Sequence, residues 1–237
     1  MEFFFSENIN NSTIILGSME FRHCIKVMRH NIGDAISVVD GKGNLYEGKI
    51  KKINRNDCEV LIDAVIEGYC RKESYVHIGI SPIKNHDRLE WFVEKSIEIG
   101  VDEISFINCF RTLRGKIKID RLHRTAIAAL KQSLKAKLPI INEPVNINDF
   151  IKNCSNKNKF ICHLENNNRE TLFSFKNDIL KNPNSCVLIG PEGDFTTDEI
   201  DLCEKYGFYS VALGDSRLRT ETAGIVSCNI VNIIQNL

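Results

Sequence analysis

An α/β protein with a largely parallel sheet, preceded by a smaller mostly-β unit, is the fold class that the sequence predicts. Two observations carry this. From about residue 74 onward, short apolar runs alternate with amphipathic stretches of helical length, the rhythm of a sheet covered on both faces. Before residue 70, short alternating runs are broken by turn signals instead.

The early elements follow from that pattern. "SMEFRHCIKVMRHNIGD" (18–34) is a helical segment with Gly33 past its end. In "AISVVDGKGNLYEGKI" (35–50), Asp40-Gly41 and Gly43-Asn44 separate two strand-like stretches, and "CEVLIDAVIEG" (58–68) continues as a third. The change of rhythm falls near "EGYCRKES" (67–74), which divides the chain into domains 1–70 and 71–237. The second domain reads strand "SYVHIGISPI", helix "DRLEWFVEKSIEIG", strand "DEISFINCF" and a basic helix, then strands "KFICHLE", "SCVLIG" and "FYSVALG", and a last helix "ETAGIVSCNIVNIIQNL". In the first of these helices Leu89, Phe92, Val93, Ser96 and Ile97 share the core face, and Trp91 is expected on the apolar side.

Composition narrows the function classes. The chain has 237 residues, 43% hydrophobic and 26% charged, enough for a sizeable core. No apolar run approaches the length needed to cross a bilayer, and the N-terminus lacks a basic leader, so a cytoplasmic protein is expected. Nine scattered cysteines without a C-x-x-C pair favour neither a disulfide framework nor a metal site. Formal net charge is zero, yet residues 111–137 hold nine lysines and arginines against the single acid Asp120. So dense a basic segment, with so few acids interleaved at the i, i+4 spacing of a self-neutralising helix, favours polyanion contact over a solvated face whose lysines meet acids elsewhere in the fold.

In open α/β sheets ligands bind beyond the carboxyl ends of strands. Three such ends stand out: His163-Leu164-Glu165, Gly190-Pro191-Glu192-Gly193, and Gly214-Asp215 leading into "SRLRTETAG". At the second, two glycines permit tight backbone approaches, and Thr196 with Glu199 forms a capping box that starts a helix there. No G-x-G-x-x-G follows the first strand of this domain and no P-loop occurs, so the corner is not a phosphate cradle of either kind.

Four segments in order, "FRHCIKVMRHNIGDAISVVDGKGNLYEG", "KNHDRLEWFVEKSIEIGVDEI", "LIGPEGDFTTDEI" and "FYSVALGDSRLRTETAGIV", resemble the RsmE family of ribosomal RNA uridine methyltransferases over nearly the whole chain. The resemblance implies a SPOUT-class domain, whose knotted C-terminal chain cradles S-adenosylmethionine, behind an N-terminal PUA-like β-barrel. It implies a homodimer that methylates N3 of a uridine in small-subunit (16S) ribosomal RNA, naked or in the assembled subunit. A transfer-RNA methyltransferase or a non-catalytic RNA-binding protein of the same fold are the alternatives. On this likeness Leu164, Gly190, Gly193, Leu213, Gly214 and Leu218 line the cofactor pocket, and a sulfonium cation disfavours a basic lining. Arg219 stabilises negative charge on the uracil carbonyls and grips the nucleotide; Glu221 is a base or, preferably, orients Arg219 through a charge-assisted hydrogen bond. Thr220 and Thr222 are read as capping groups. Arg22, His23, Lys26 and Arg29, which match or flank a His-x-x-x-Val-x-Arg pattern, are candidates for RNA contact, together with Arg111, Arg114, Lys131 and Lys135 of the basic segment. The chain departs from the family pattern at Lys131, where an acid is usual, at Lys135, where arginine is usual, and at Asp194, where a third glycine is common.

Overall fold

The computed structural model describes residues 2–113, 117–165 and 169–237. The chain divides into two compact units, one comprising residues 1–71 with 127–138 and the other residues 72–126 with 139–237.

The first unit holds strands β1 (Phe3–Phe5), β2 (Thr13–Gly17), β3 (Ala35–Val39), β4 (Leu45–Ile53) and β5 (Asp57–Ile66) in the spatial order β1-β3-β4-β5-β2. Neighbours are antiparallel except β1 and β3. The β3–β4 hairpin turns on Asp40, whose carboxylate accepts from the backbone N–H groups of Lys42 and Asn44 at 2.7 and 3.0 Å. Register between β4 and β5 shifts beside Gly48, where any side chain would collide with the backbone oxygen of Leu61. Alternate residues Phe4, Ile14, Leu16, Ile36, Val38, Ile50 and Val60 turn inward to form the core, closed by Phe21 and Cys24 of a short helical segment, α1 (Ser18–Phe21), which continues as a π-turn over Arg22–Val27. Residues 127–138 pack on this sheet: Gly43 N–H donates to Ala136 O at 3.0 Å, and Leu130 and Ala136 join Phe3, Val39 and Leu45 in a second buried cluster.

The second unit contains β6 (Tyr75–Ile80), α2 (His86–Ile99), β7 (Glu103–Asn108), the start of α3 (Ile119–Gln132), β8 (Ile140–Asn146), α4 (Ile147–Asn153), β9 (Asn158–Cys162), β10 (Glu170–Thr171), α5 (Lys176–Lys181), β11 (Asn184–Ile189), α6 (Thr197–Lys205), β12 (Tyr209–Ala212) and α7 (Thr220–Gln235). Its seven strands run β10-β12-β9-β11-β6-β7-β8, every neighbouring pair parallel. The α/β fold class expected from the sequence is the one observed. Leu89, Phe92, Val93, Ser96 and Ile97 are the buried residues of α2, whereas Trp91 stands 45% exposed. The reading of Trp91 is corrected: one hundred degrees per residue carries it off the stripe that Leu89 and Phe92 define.

β8 and α4 were not anticipated between the basic helix and β9. β8 carries Pro144 and lies at the sheet edge, the one place where a missing N–H disturbs no second neighbour. Its mixed burial, with only Ile141 fully inside, hides the apolar signature of a central strand.

Candidate functional site

The strands β12, β9 and β11 are side by side, and their ends are in register. Cys162, the last residue of β9, pairs with Val211 on one side and Ile189 on the other. The loops that leave these three strands therefore start level with one another, and they enclose a cavity of about 400 Å³. That volume suits a small organic ligand.

Of the residues that the sequence marks for a cofactor, Leu164, Gly190, Leu213, Gly214 and Leu218 line this cavity. Gly193 does not; its carbonyl faces Arg111, whose Nη1 donates to Gly193 O at 2.8 Å and to Phe195 O at 3.1 Å. The glycines also act differently from expectation. Neither Gly190 nor Gly193 is left-handed; a Cβ on Gly190 would press the Phe195 ring at 3.0 Å, and one on Gly193 would meet Arg111 at 3.3 Å. The left-handed residue of the corner is Asp194, with φ of 63°. Asp tolerates this because its short side chain bonds locally. Its Oδ1 accepts from Phe195 N at 2.8 Å, and its Oδ2 accepts from Leu164 N at 2.7 Å, tying the corner to the β9 loop. Gly214, with φ of 130° and no atom near its Cβ position, opens the third loop.

α6 begins as foreseen, with Thr196 and Glu199 in a reciprocal capping box. The buried carboxylate of Glu199 also accepts from Phe110 N at 2.8 Å. At α7 the expected cap is absent. Thr220 instead donates its hydroxyl to Gly190 O at 3.1 Å, which fastens the helix start to the glycine corner. The N-cap position is Arg219, whose side chain makes no cap bond.

Arg219 and Glu221 both line the cavity, but they are not partners. The Glu221 carboxylate, 5% exposed, faces Arg88 Nε of α2 at 3.6 Å. Arg219 is exposed and has no ion pair among the described residues. The expected Glu221–Arg219 contact is replaced because α7 turns Glu221 inward toward α2 while Arg219 remains at the helix boundary. Nothing local in "KNHDRLEW" marks Arg88 as a site residue, since its partner is far along the chain. The lining is also more basic than a sulfonium alone suggests. Arg88, Arg169, Arg217 and Arg219 surround the cavity with Glu192, Asp194 and Glu221.

His163 follows directly on β9, at a strand end that the sequence marks without assigning this side chain a role. It is 6% exposed, lines the cavity, and neither ring nitrogen has a hydrogen-bond partner among the described residues. Burial lowers its pKa below the usual histidine value, with Arg169 acting in the same direction and Asp194 opposing.

The candidates for RNA contact differ in what holds them. Arg22, Lys26 and Arg29 are exposed, and Arg29 closes the helical segment in a left-handed conformation. His23 Nε2 lies 3.2 Å from Glu2. Lys131 forms a close ion pair, 2.6 Å, with Glu20, whose other oxygen accepts from Phe5 N. Lys135 is half-buried. Arg114 lies outside the described residues. Elsewhere in the basic segment Arg121 pairs with Glu90 and Asp87, so part of its charge is met by acids of α2. Among the described residues no group of three or more His, Cys, Asp or Glu side chains is placed to hold a metal ion, and no helix is long and apolar enough to cross a membrane.

Comparison with known proteins agrees with this geometry. Residues 71–232 match the family model described as RNA methyltransferase domain, and residues 18–63 match that of the RNA methyltransferase PUA domain. The chain is 28% identical over 227 residues to the ribosomal RNA small subunit methyltransferase E of Rickettsia conorii, covering 94% of this chain and 91% of the relative. It is 32% identical over 178 residues to the protein so named from Mesomycoplasma hyopneumoniae, covering 73% and 74%. Among solved structures, a probable rRNA-methyltransferase from Porphyromonas gingivalis superposes with a TM-score of 0.92 at 34% identity, covering 100% and 99%. A ribosomal RNA small subunit methyltransferase E from Neisseria gonorrhoeae, bound to S-adenosyl methionine, superposes with a TM-score of 0.83 at 25% identity, covering 96% and 95%.

Proposed function

Because this chain belongs to the RNA methyltransferase family, whose model spans residues 71–232, we propose that it methylates N3 of a uridine in small-subunit ribosomal RNA, using S-adenosylmethionine. The observation that carries this reading is the meeting of three level strand-end loops around one cavity of about 400 Å³. The name shared by the Rickettsia and Mesomycoplasma relatives supports the substrate, and the ligand of the gonococcal relative supports the cofactor.

The residues present fit that cofactor. Apolar Leu164, Leu213 and Leu218 would cover its flat surfaces, while the main chain at Gly190 and Gly214 would approach it closely, with Gly193 bracing the corner from behind. When bound, it supplies a methyl group made electrophilic by the sulfonium. Methyl transfer in line needs alignment of the two reactants above all. Thr220 and Asp194 serve this by holding the three loops in one arrangement. Arg219, exposed and without an ion pair, faces the negative charge that spreads over the uracil carbonyl oxygens as N3 loses its proton. Glu221 acts as a positioning residue that holds Arg88 at the cavity wall, at the helix end where the dipole favours a carboxylate.

Residues 1–70 serve as a PUA-like RNA-binding domain and residues 71–237 as the methyltransferase domain. Arg22, Lys26 and Arg29, with His23, Arg111, Arg114, Lys131 and Lys135, meet phosphates of the RNA. The protein works as a homodimer in the cytoplasm. The test is incubation of the purified protein with labelled S-adenosylmethionine and small ribosomal subunits from cells lacking it, followed by nucleoside analysis. The expected product is 3-methyluridine; label on ribose or on a purine overturns the proposal.

A further inference from the structure

We infer that the His163 side chain hydrogen-bonds, as a neutral imidazole, directly to a polar group of the methyl donor in the loop cavity. This rests on the methyl-donor reading above and assigns a residue that reading does not use. The ring is 6% exposed and lines the cavity, yet among the described residues both Nδ1 and Nε2 are without partners. Buried polar groups are nearly always satisfied, so a ring with two orphaned nitrogens at a cavity wall points to a ligand that completes it. The other buried histidine of the unit supplies the contrast. His77, equally buried, has Ser105 Oγ at 2.8 Å on one nitrogen and Asn156 Oδ1 at 3.3 Å on the other.

A neutral imidazole offers one donor and one acceptor. Ribose hydroxyls and the adenine edge present the same pairing, whereas the sulfonium presents neither. The ring is also set in place beforehand. The next peptide is held by the Leu164 N–H bond to Asp194 Oδ2 at 2.7 Å, so ordering of this loop is not left to the binding step. The charges acting on the ring are Arg169 and Glu165 beyond β9, Asp194 at the glycine corner, and Glu204 on α6. Burial and Arg169 keep the ring neutral against the three acids, and a bound sulfonium adds a further positive charge. Protonation of His163 and binding of the donor therefore oppose one another.

The test is calorimetric titration of the full-length protein with S-adenosylmethionine and with its neutral thioether product, S-adenosylhomocysteine, from pH 5.5 to 8. It is paired with nitrogen-15 NMR of the histidine rings. His163→Phe is expected to weaken both ligands about tenfold at pH 8, the loss of one buried hydrogen bond, with His163→Gln recovering most of it. The wild type should lose affinity as pH falls through the histidine range, more for the sulfonium than for the thioether, and His163→Phe should not. Ligand should shift the His163 nitrogen resonances in the wild type, a readout that needs no folded variant. Unmoved resonances, or a folded His163→Phe with unchanged affinity and pH profile, overturn the inference while leaving the methyl-donor reading intact. A wild type that binds neither ligand overturns both.

Discussion

Arg219 and Glu221 sit two residues apart at the start of α7, yet one is exposed and the other 5% exposed. A guanidinium with no ion pair among the described residues is available to charge that develops only during reaction. Replacing Arg219 with alanine should therefore lower single-turnover methylation about a hundredfold while the S-adenosylmethionine dissociation constant stays within about threefold, as measured by calorimetry. An equal loss in both would move Arg219 from the reacting base to the cofactor. At this scale the sequence was informative where backbone chemistry is local. The Thr196–Glu199 box and the Gly214 turn each depend on backbone chemistry within a few positions. It was uninformative where the partner is distant. Arg88 meets Glu221 across 133 positions, and Thr220, which reads as a helix cap, spends its hydroxyl on Gly190 because that carbonyl lies beside it only in the folded chain.

Elements show the same division. α2 and α7 pack closely because Gly224 leaves room for Phe92; a Cβ there would lie 2.5 Å from the ring. Alanine is the better helix former by about 1 kcal/mol. Overpacking typically costs about 1–3 kcal/mol, and Phe92 is fully buried with little room to yield. Gly224→Ala should consequently lower the denaturant midpoint, a result opposite to that expected for an exposed helix position; an unchanged or raised midpoint would show that the ring moves aside. The strands β6, β9, β11 and β12 were legible as apolar runs since they lie inside the sheet with neighbours on both sides. β8 was not. It is an edge strand containing proline, and its sequence "IINEPVN" alternates too weakly to distinguish it from a loop. The basic helix was legible as basic but not as partly neutralised by acids of other elements, since Lys131 finds Glu20 and Arg121 finds Glu90 beyond the i, i+4 window that a sequence exposes.

For the whole molecule, two buried histidines make stability depend on pH. Burial lowers the pKa of both His77 and His163 below 6.5 in the folded chain. The unfolded chain then binds more protons below that value, so the contribution of the two neutral histidines to stability is fully present above about pH 6.5 and is lost as pH falls from there through the folded values. Denaturation midpoints measured from pH 7.5 down to 5 should fall, and His77→Gln should flatten the curve; a midpoint that rises on acidification contradicts the sign.

The sequence by itself determined the α/β class, the early β unit, the glycine-cornered strand ends and the family likeness, because these rest on periodicity, turn chemistry and ordered motifs that any short window carries. Only the tertiary structure decided that β12, β9 and β11 are neighbours with level ends, that Asp194 rather than a glycine takes the left-handed corner, and that His163 is buried with both nitrogens unpaired among the described residues. Strand order and burial are properties of which distant segments meet. A parallel sheet brings together residues separated by long crossovers, and no local pattern records which crossover ends beside which.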